Sequence, residues 1–351
     1  MTSLPRANVH LNNIVANWQT LDRLHPGATT AAVVKADAYG LGARDVAQKL
    51  SRAGCATFFV AHLEEGLEVR RAVGSGPRIF VLNGPGIGDM LAYRDPKLTA
   101  VLSSEAHVEM WTRSPGASCA LHFDTGMNRL GLDPALLETR LEAFQKLQPV
   151  LVMSHLACAD TPDHPMNWQQ LSAFSDIAAA FPDTPASLAN SAGCYLGRAY
   201  GFDLIRPGIA LYGGSTPPGE IQIRPAVTLE AEILSVFSAR AGETVGYGAT
   251  HLLEADATLA TVALGYADGI LRSGSDRLIA WLDDVPCPVL GRVSMDLITI
   301  DVTKAQRLAK AGERVEFLGE HAKLEDQAAR AGTLGYELLT GLGKRVRRLY
   351  P

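Results

Sequence analysis

Eight short β-rich runs, separated by amphipathic stretches and all lying between residues 31 and 207, constrain this chain more than any other feature. The runs span 31–35, 57–61, 78–82, 99–103, 120–124, 150–155, 187–191 and 203–207. They are apolar rather than alternating, as strands of a parallel sheet covered on both faces are. Between them, 43–53 sets Val46, Ala47 and Leu50 on one helical face. The stretch 63–73 carries acidic residues early and arginines late, as the helix dipole favours. The stretches 134–147 and 165–181 read as longer helices, each with a proline near its first turn. Eight strand–helix units point to a (β/α)8 barrel, with a doubly wound open sheet as the competitor. Lys35, Asp124-Thr125-Gly126, His155, Ser191 and Arg206 all fall at C-terminal ends of runs. A closed barrel brings those ends to one mouth.

Past 221–225 the alternation stops and long β stretches begin, at 227–239, 257–264, 277–282, 285–302 and 314–318. A helix at 323–330 precedes a last strand at 345–350. The expected division is a barrel over residues 1–224 and a mainly β domain over 225–351, with the first few residues free to add a strand to the second. A length of 351 residues fits such a pair. The net charge of -5 argues against a nucleic-acid partner, and the 344–348 basic cluster reads as a solvated or structural end strand. The cysteines, five and scattered without a CxxC pair, read as free thiols in a reducing, cytoplasmic setting rather than a disulfide frame or a metal site. No signal peptide or membrane-length apolar run is read.

Lys35 closes the first run. Burial there would favour its neutral amine and make it a nucleophile toward a carbonyl; the structural alternative is a lysine snorkelling to water. Arg206-Pro207-Gly208 follows the eighth run. Gly208 would let backbone N–H groups approach an anion, and Ser191, after the seventh run, can donate its hydroxyl and cap the helix that follows it. Loops after strands seven and eight are the usual phosphate seat of such barrels. A lysine at one end and a phosphate seat at the other suggest a phosphorylated aldehyde held as an imine, namely pyridoxal 5'-phosphate (PLP). Arg206, facing a pyridine nitrogen, could donate a hydrogen bond yet leave that nitrogen unprotonated. His155 is poised between stacking on the ring and a structural role.

These stretches, with Val34-Lys35-Ala36-Asp37-Ala38-Tyr39-Gly40, Asp124-Thr125-Gly126-Met127-Asn128-Arg129-Leu130-Gly131, Gly246-Tyr247-Gly248, Gly265-Tyr266-Ala267-Asp268-Gly269 and Gly291-Arg292-Val293-Ser294-Met295-Asp296, resemble the bacterial alanine racemases nearly end to end. These are PLP enzymes of fold-type III. The resemblance implies Lys35 as the cofactor lysine and one catalytic base, and Tyr247, supplied by a second subunit, as the other. It implies Arg129 and the Met295 backbone at the substrate carboxylate, with Asp296 beside it. Tyr39, Ser191, Gly208, Ile209 and Tyr336 match phosphate contacts, His155 and Arg206 the ring-side pair, and Tyr266 a channel gate. Many relatives have a carbamylated lysine where His122 stands. Arg129 must then be held otherwise, by an anion, by water or by His122 itself. Ser294 stands where cysteine is common.

The implied reaction inverts Cα–H of alanine between two bases, one per face, in a homodimer with composite sites. Its D-alanine would serve cell-wall synthesis or be handled in catabolism. A phenol near pKa 10 needs roughly three units of lowering to act as a base near neutrality, about 4 kcal/mol. A hydrogen-bonded His155–Arg206 pair is one cationic source. A serine or broad-specificity racemase, and a PLP-binding protein without catalysis, remain the alternatives. A decarboxylase would want a larger chain and a different C-terminal signature.

Overall fold

The eight runs close into a ring of parallel strands in the computed structural model, which describes residues 4–113, 117–214, 219 and 221–351. Seven strands pair in chain order: Ala32–Val33, Thr57–Val60, Arg78–Val81, Leu98–Leu102, Cys119–His122, Val152–Met153 and Ala186–Ser187. The eighth, Leu204–Ile205, pairs with Thr29–Thr30, the lower half of the first strand. It also donates from Asp203 N to Ala186 O at 3.1 Å and from Arg206 N to Ala189 O at 2.9 Å, so the ring has no open edge. The sheet is therefore a barrel and not an open doubly wound layer. Its interior is packed, with Phe59 and Phe80 stacked at 4.6 Å.

Helices Ala43–Arg52, Leu63–Val73, Leu137–Lys146 and Pro165–Ala179 wrap the outside. Pro134 lies in a 3-10 turn, capped by Asp133, that precedes the third of these. Between the strands Arg78–Val81 and Leu98–Leu102 the crossover is only a 3-10 turn, Asp89–Arg94.

The second sheet is mainly antiparallel. Val227–Ala239 is its backbone: it pairs with Arg314–Leu318 along its first half and with Ala257–Val262 along its second, bending at an irregularity between Ile233 and Ser235. The stretch 285–302 is two strands, Val285–Leu290 and Ile298–Asp301, because Gly291 at φ 71° turns the chain out into a loop. Two terminal segments join this sheet. Arg6–Val9 pairs antiparallel with the start of Val227–Ala239 and parallel with Arg347–Leu349. Helix Leu324–Ala331 is followed by a second, Gly335–Thr340, which the pattern did not announce. Buried Asn17 fixes the crossing between the sheets: its amide donates to Leu211 O and Arg224 O and accepts from Arg224 N. Among the described residues no helix is long and apolar enough to cross a membrane, and all five cysteines are free.

Candidate active site

Lys35 stands two residues past the first strand, at the start of a left-handed helical turn. Ala36, Asp37, Ala38 and Tyr39 have φ of 52°, 55°, 51° and 57°, and none is glycine. Left-handed backbone costs roughly 1–2 kcal/mol per L-residue, so the turn must be fixed by its surroundings. Its reward is direction: Lys35 and Tyr39 both enter the barrel mouth. The Lys35 amine loses proton affinity through burial first and the Arg129 charge second, with the Glu65 carboxylate opposing.

Tyr39 is buried and packs 4.7 Å from the Tyr212 ring and 5.9 Å from that of Tyr336. The Tyr212 hydroxyl donates to Val33 O at 2.9 Å, anchoring the stack to the first strand. Burial pushes the Tyr39 phenol up, and that of Tyr336 to about 12. Both stay hydroxyl donors at neutral pH.

Opposite, Ser191 does not cap the helix that follows it. Its Oγ accepts from Gly208 N at 2.8 Å and Ala210 N at 3.2 Å, closing the turn after the eighth strand instead. The reason is geometric: in a closed ring the last two loops abut. Ile209 N–H, between those two donors, has no partner among the described residues. A Cβ on Gly208 would lie 2.2 Å from Tyr39 Oη, so only glycine admits the phenol against this turn.

Arg206 is buried beneath the mouth, 5.9 Å over the Phe59 ring. It donates to Ser154 O at 2.6 Å, to Leu188 O at 3.3 Å and to Ser187 Oγ. Burial lowers its pKa to about 10, which leaves it a cation. No His155–Arg206 hydrogen bond forms among the described residues. Both Nη groups of Arg206 go to the barrel wall instead, to Ser187 Oγ and to the carbonyls of Ser154 and Leu188. His155 is held through its backbone: its carbonyl accepts from Gln170 Nε2 at 2.9 Å, and the same amide donates to Thr125 Oγ1 at 3.1 Å. Burial, then the Arg206 charge, puts the His155 ring well below its ordinary pKa.

His122 does not grip Arg129. Its Nδ1 meets Ser103 Oγ at 3.5 Å, deep in the wall, and burial followed by Arg206 drives its pKa to about 4. The Asp124 carboxylate shapes the Arg129 loop, accepting from Gly126 N at 2.8 Å and Arg129 N at 3.2 Å. Burial raises its pKa, but backbone N–H groups from Gly126 to Arg129 more than reverse this. The Arg129 side chain itself is exposed.

The other predicted residues lie on the β domain. Tyr247 is 72% exposed, Met295 53% and Tyr266 43%. The Tyr266 and Met295 loops are tied together: Tyr266 N donates to Ser294 O and Ala267 N to Met295 O, both at 3.0 Å. Asp296 accepts from Arg345 Nη1 at 2.8 Å, and Arg345 Nε donates to buried Asp268 at 2.9 Å. No hydrogen bond, ring contact or ion pair joins Tyr247, Tyr266 or Met295 to the barrel mouth within the described chain. Sequence reasoning missed Glu65, Tyr212, Gln170 and Ser103. Each acts across the fold on a group distant in the chain, and no local spacing signals that.

Such a mouth can hold an anion against one turn, present an amine with lowered proton affinity, and keep an arginine beneath. Residues 9–216 match the family model described as alanine racemase, N-terminal domain, and 226–350 that of alanine racemase, C-terminal domain. The chain is similar to an alanine racemase of Cereibacter sphaeroides, 47% identical over 97% of each chain. It is 44% identical to a catabolic alanine racemase of Agrobacterium fabrum, over 97% of this chain and 91% of that protein. Among solved structures, alanine racemase of Bartonella henselae with covalently bound pyridoxal phosphate superposes with a TM-score of 0.92 at 35% identity, and the biosynthetic enzyme of Pseudomonas aeruginosa with 0.93 at 35%, each over 100% of both chains. The chain belongs to the alanine racemase family.

Proposed function

We propose that this chain interconverts L- and D-alanine with PLP carried on Lys35. The observation that carries the reading is the half-buried Lys35 amine, its proton affinity lowered, on the same turn as Tyr39, whose hydroxyl borders an anion cradle. The cradle fits a phosphate: Ile209 N–H has no partner among the described residues, Gly208 leaves the space that Tyr39 Oη borders, and Tyr336 stands beside Tyr39. Arg206 suits the ring's far side, since it stays charged and donates without giving up a proton. When bound, the cofactor supplies an electron sink that lowers the barrier to losing Cα–H.

The chain's own groups do the rest. Lys35 Nζ moves a proton on one face of the substrate. Tyr247 Oη of a second copy moves it on the other, which makes the working unit a homodimer with composite sites. Arg129 orients the substrate carboxylate, and the partner's Met295 backbone and Asp296 complete that end. Tyr266 narrows the entrance. Tyr247, Leu252, Met295 and Leu297, all exposed large apolar side chains of the β domain, suit such an interface. His155 lines the cofactor, and His122, kept neutral, supports the wall below. We also read the functional division as 1–224 and 225–351, working in a reducing cytoplasm. Its product serves wall synthesis or is consumed in catabolism.

The test is a racemisation assay across both enantiomers of alanine and serine with added PLP, alongside borohydride reduction. Exchange of alanine faster than serine, with PLP fixed on Lys35, supports the reading. A chain that binds PLP and inverts neither amino acid is a carrier, and that result would sink it.

A further inference from the structure

Both ends of the left-handed turn after Lys35 are tied, and by different parts of the chain. At its start the Glu65 carboxylate accepts from Ala36 N at 2.7 Å, while its other oxygen accepts from Ala61 N at 2.7 Å and His62 N at 3.1 Å. At its finish the last strand of the β domain reaches over. Arg348 Nε donates to Gly40 O at 3.0 Å, and the Tyr350 hydroxyl donates to Leu41 O at 3.1 Å. The remaining Arg348 donors go to Gly343 O, Val346 O and Leu342 O at 2.6–2.8 Å. One planar guanidinium thus joins a carbonyl of the turn to three carbonyls of the terminal segment, and it pairs with no carboxylate among the described residues.

The approach is close enough to demand glycine twice. A Cβ on Gly40 would lie 2.5 Å from Leu339 O, and one on Gly42 2.0 Å from Tyr350 Oη; both have positive φ, 83° and 97°. The basic terminal cluster is therefore structural at Arg348, and it acts on the barrel mouth.

We propose that Arg348 and Tyr350 are positioning residues for Lys35. By holding the carbonyl end of the turn while Glu65 holds its amide end, they set the depth and direction at which the amine enters the mouth. The proposal rests on Lys35 being the reactive amine. It adds Arg348 and Tyr350 to Tyr336 as β-domain residues that serve the site of their own chain. A lysine at 348 cannot reproduce the contact, because a point ammonium cannot reach carbonyls spread along a planar fork.

The experiment uses full-length Arg348→Ala, Arg348→Lys and Tyr350→Phe. The last removes one oxygen and keeps the ring, so it folds even if the arginine variants do not. The first readout is acetic anhydride labelling of Lys35 against pH in protein dialysed free of PLP, quantified on the Lys35 peptide by mass spectrometry. The expected result is a rise of about one pH unit in the labelling midpoint toward the ordinary lysine value of about 10.4, a roughly tenfold loss of labelling at neutral pH. The second is kinetics with PLP restored. We expect kcat to fall about 10- to 100-fold for the alanine variant and less for the phenylalanine one, with little change in KM and no rescue by Arg348→Lys. Lower unfolding midpoints with wild-type labelling profile and kcat would make these residues fasteners between domains and overturn the proposal. If wild-type Lys35 labels like an open surface lysine and borohydride links no PLP to it, the reading of Lys35 fails, and this proposal falls with it.

Discussion

Replacing Ser191 by alanine isolates one oxygen that two loops share. Ser191 Oγ is the acceptor for Gly208 N and Ala210 N, all three residues are buried, and no other described group accepts from either amide. Each buried donor left unpaired costs about 1–3 kcal/mol, so the pair costs roughly 2–6 kcal/mol before relaxation. The longer bond, 3.2 Å, is the weaker, which puts the expected loss near the lower half, about 2–4 kcal/mol. Because those bonds exist without a ligand, the loss must appear in protein freed of PLP, read as a lower urea midpoint of the barrel. The same turn carries the Ile209 N–H, so PLP affinity must fall as well, measured by fluorescence titration. Ser191→Thr, which keeps the hydroxyl, restores most of both. Unchanged stability of the cofactor-free Ser191→Ala protein would refute the assignment of those amides to one oxygen.

His122 gives a pH dependence with a definite sign. Its folded pKa is about 4 against an ordinary 6.5, so between those values the unfolded chain binds the proton and the native one does not. Stability from this group is full above pH ~6.5 and is lost as pH falls toward ~4, by about 3 kcal/mol. His122→Asn flattens that part of the curve in urea titrations run at stepped pH; an unaltered curve contradicts the shift. Tyr247→Phe leaves borohydride fixation of PLP intact but cuts racemisation about 10²- to 10⁴-fold, with solvent deuterium entering from one enantiomer only. Equal exchange from both enantiomers would remove Tyr247 from the reaction. Gly265→Ala puts a Cβ 2.2 Å from Met295 O and must displace that loop; KM for alanine rises while PLP binding in the barrel stays as in wild type.

How much was legible follows the range of each interaction. Val227–Ala239 and Arg314–Leu318 read off the sequence to the residue, since strand patterning is local. The ring of strands was legible because eight similar units with reactive ends need one mouth. The left-handed turn was not: Ala-Asp-Ala-Tyr contains no glycine to announce positive φ, and the contacts that impose it come from Glu65 and Arg348, 29 and 308 residues away. Ser191 was singled out, but its partners were misjudged, because ring closure, not sequence adjacency, decides what it faces. His122 was noticed as a departure from family pattern; that it turns to Ser103 depends on the packing of the neighbouring strand. Helix Gly335–Thr340 is short and opens on glycine, so neither length nor propensity marks it.

The central claim is that one proton-transfer group comes from each of two chains. Mixing separately purified Lys35→Ala and Tyr247→Phe proteins, then letting subunits exchange, tests it directly. In the mixed dimer one site carries both defects and the other none. Random exchange of equal amounts therefore restores about a quarter of the wild-type sites, starting from two inactive parents. Activity rising to that level supports two chains per site; a mixture as inactive as its parents after confirmed exchange contradicts it.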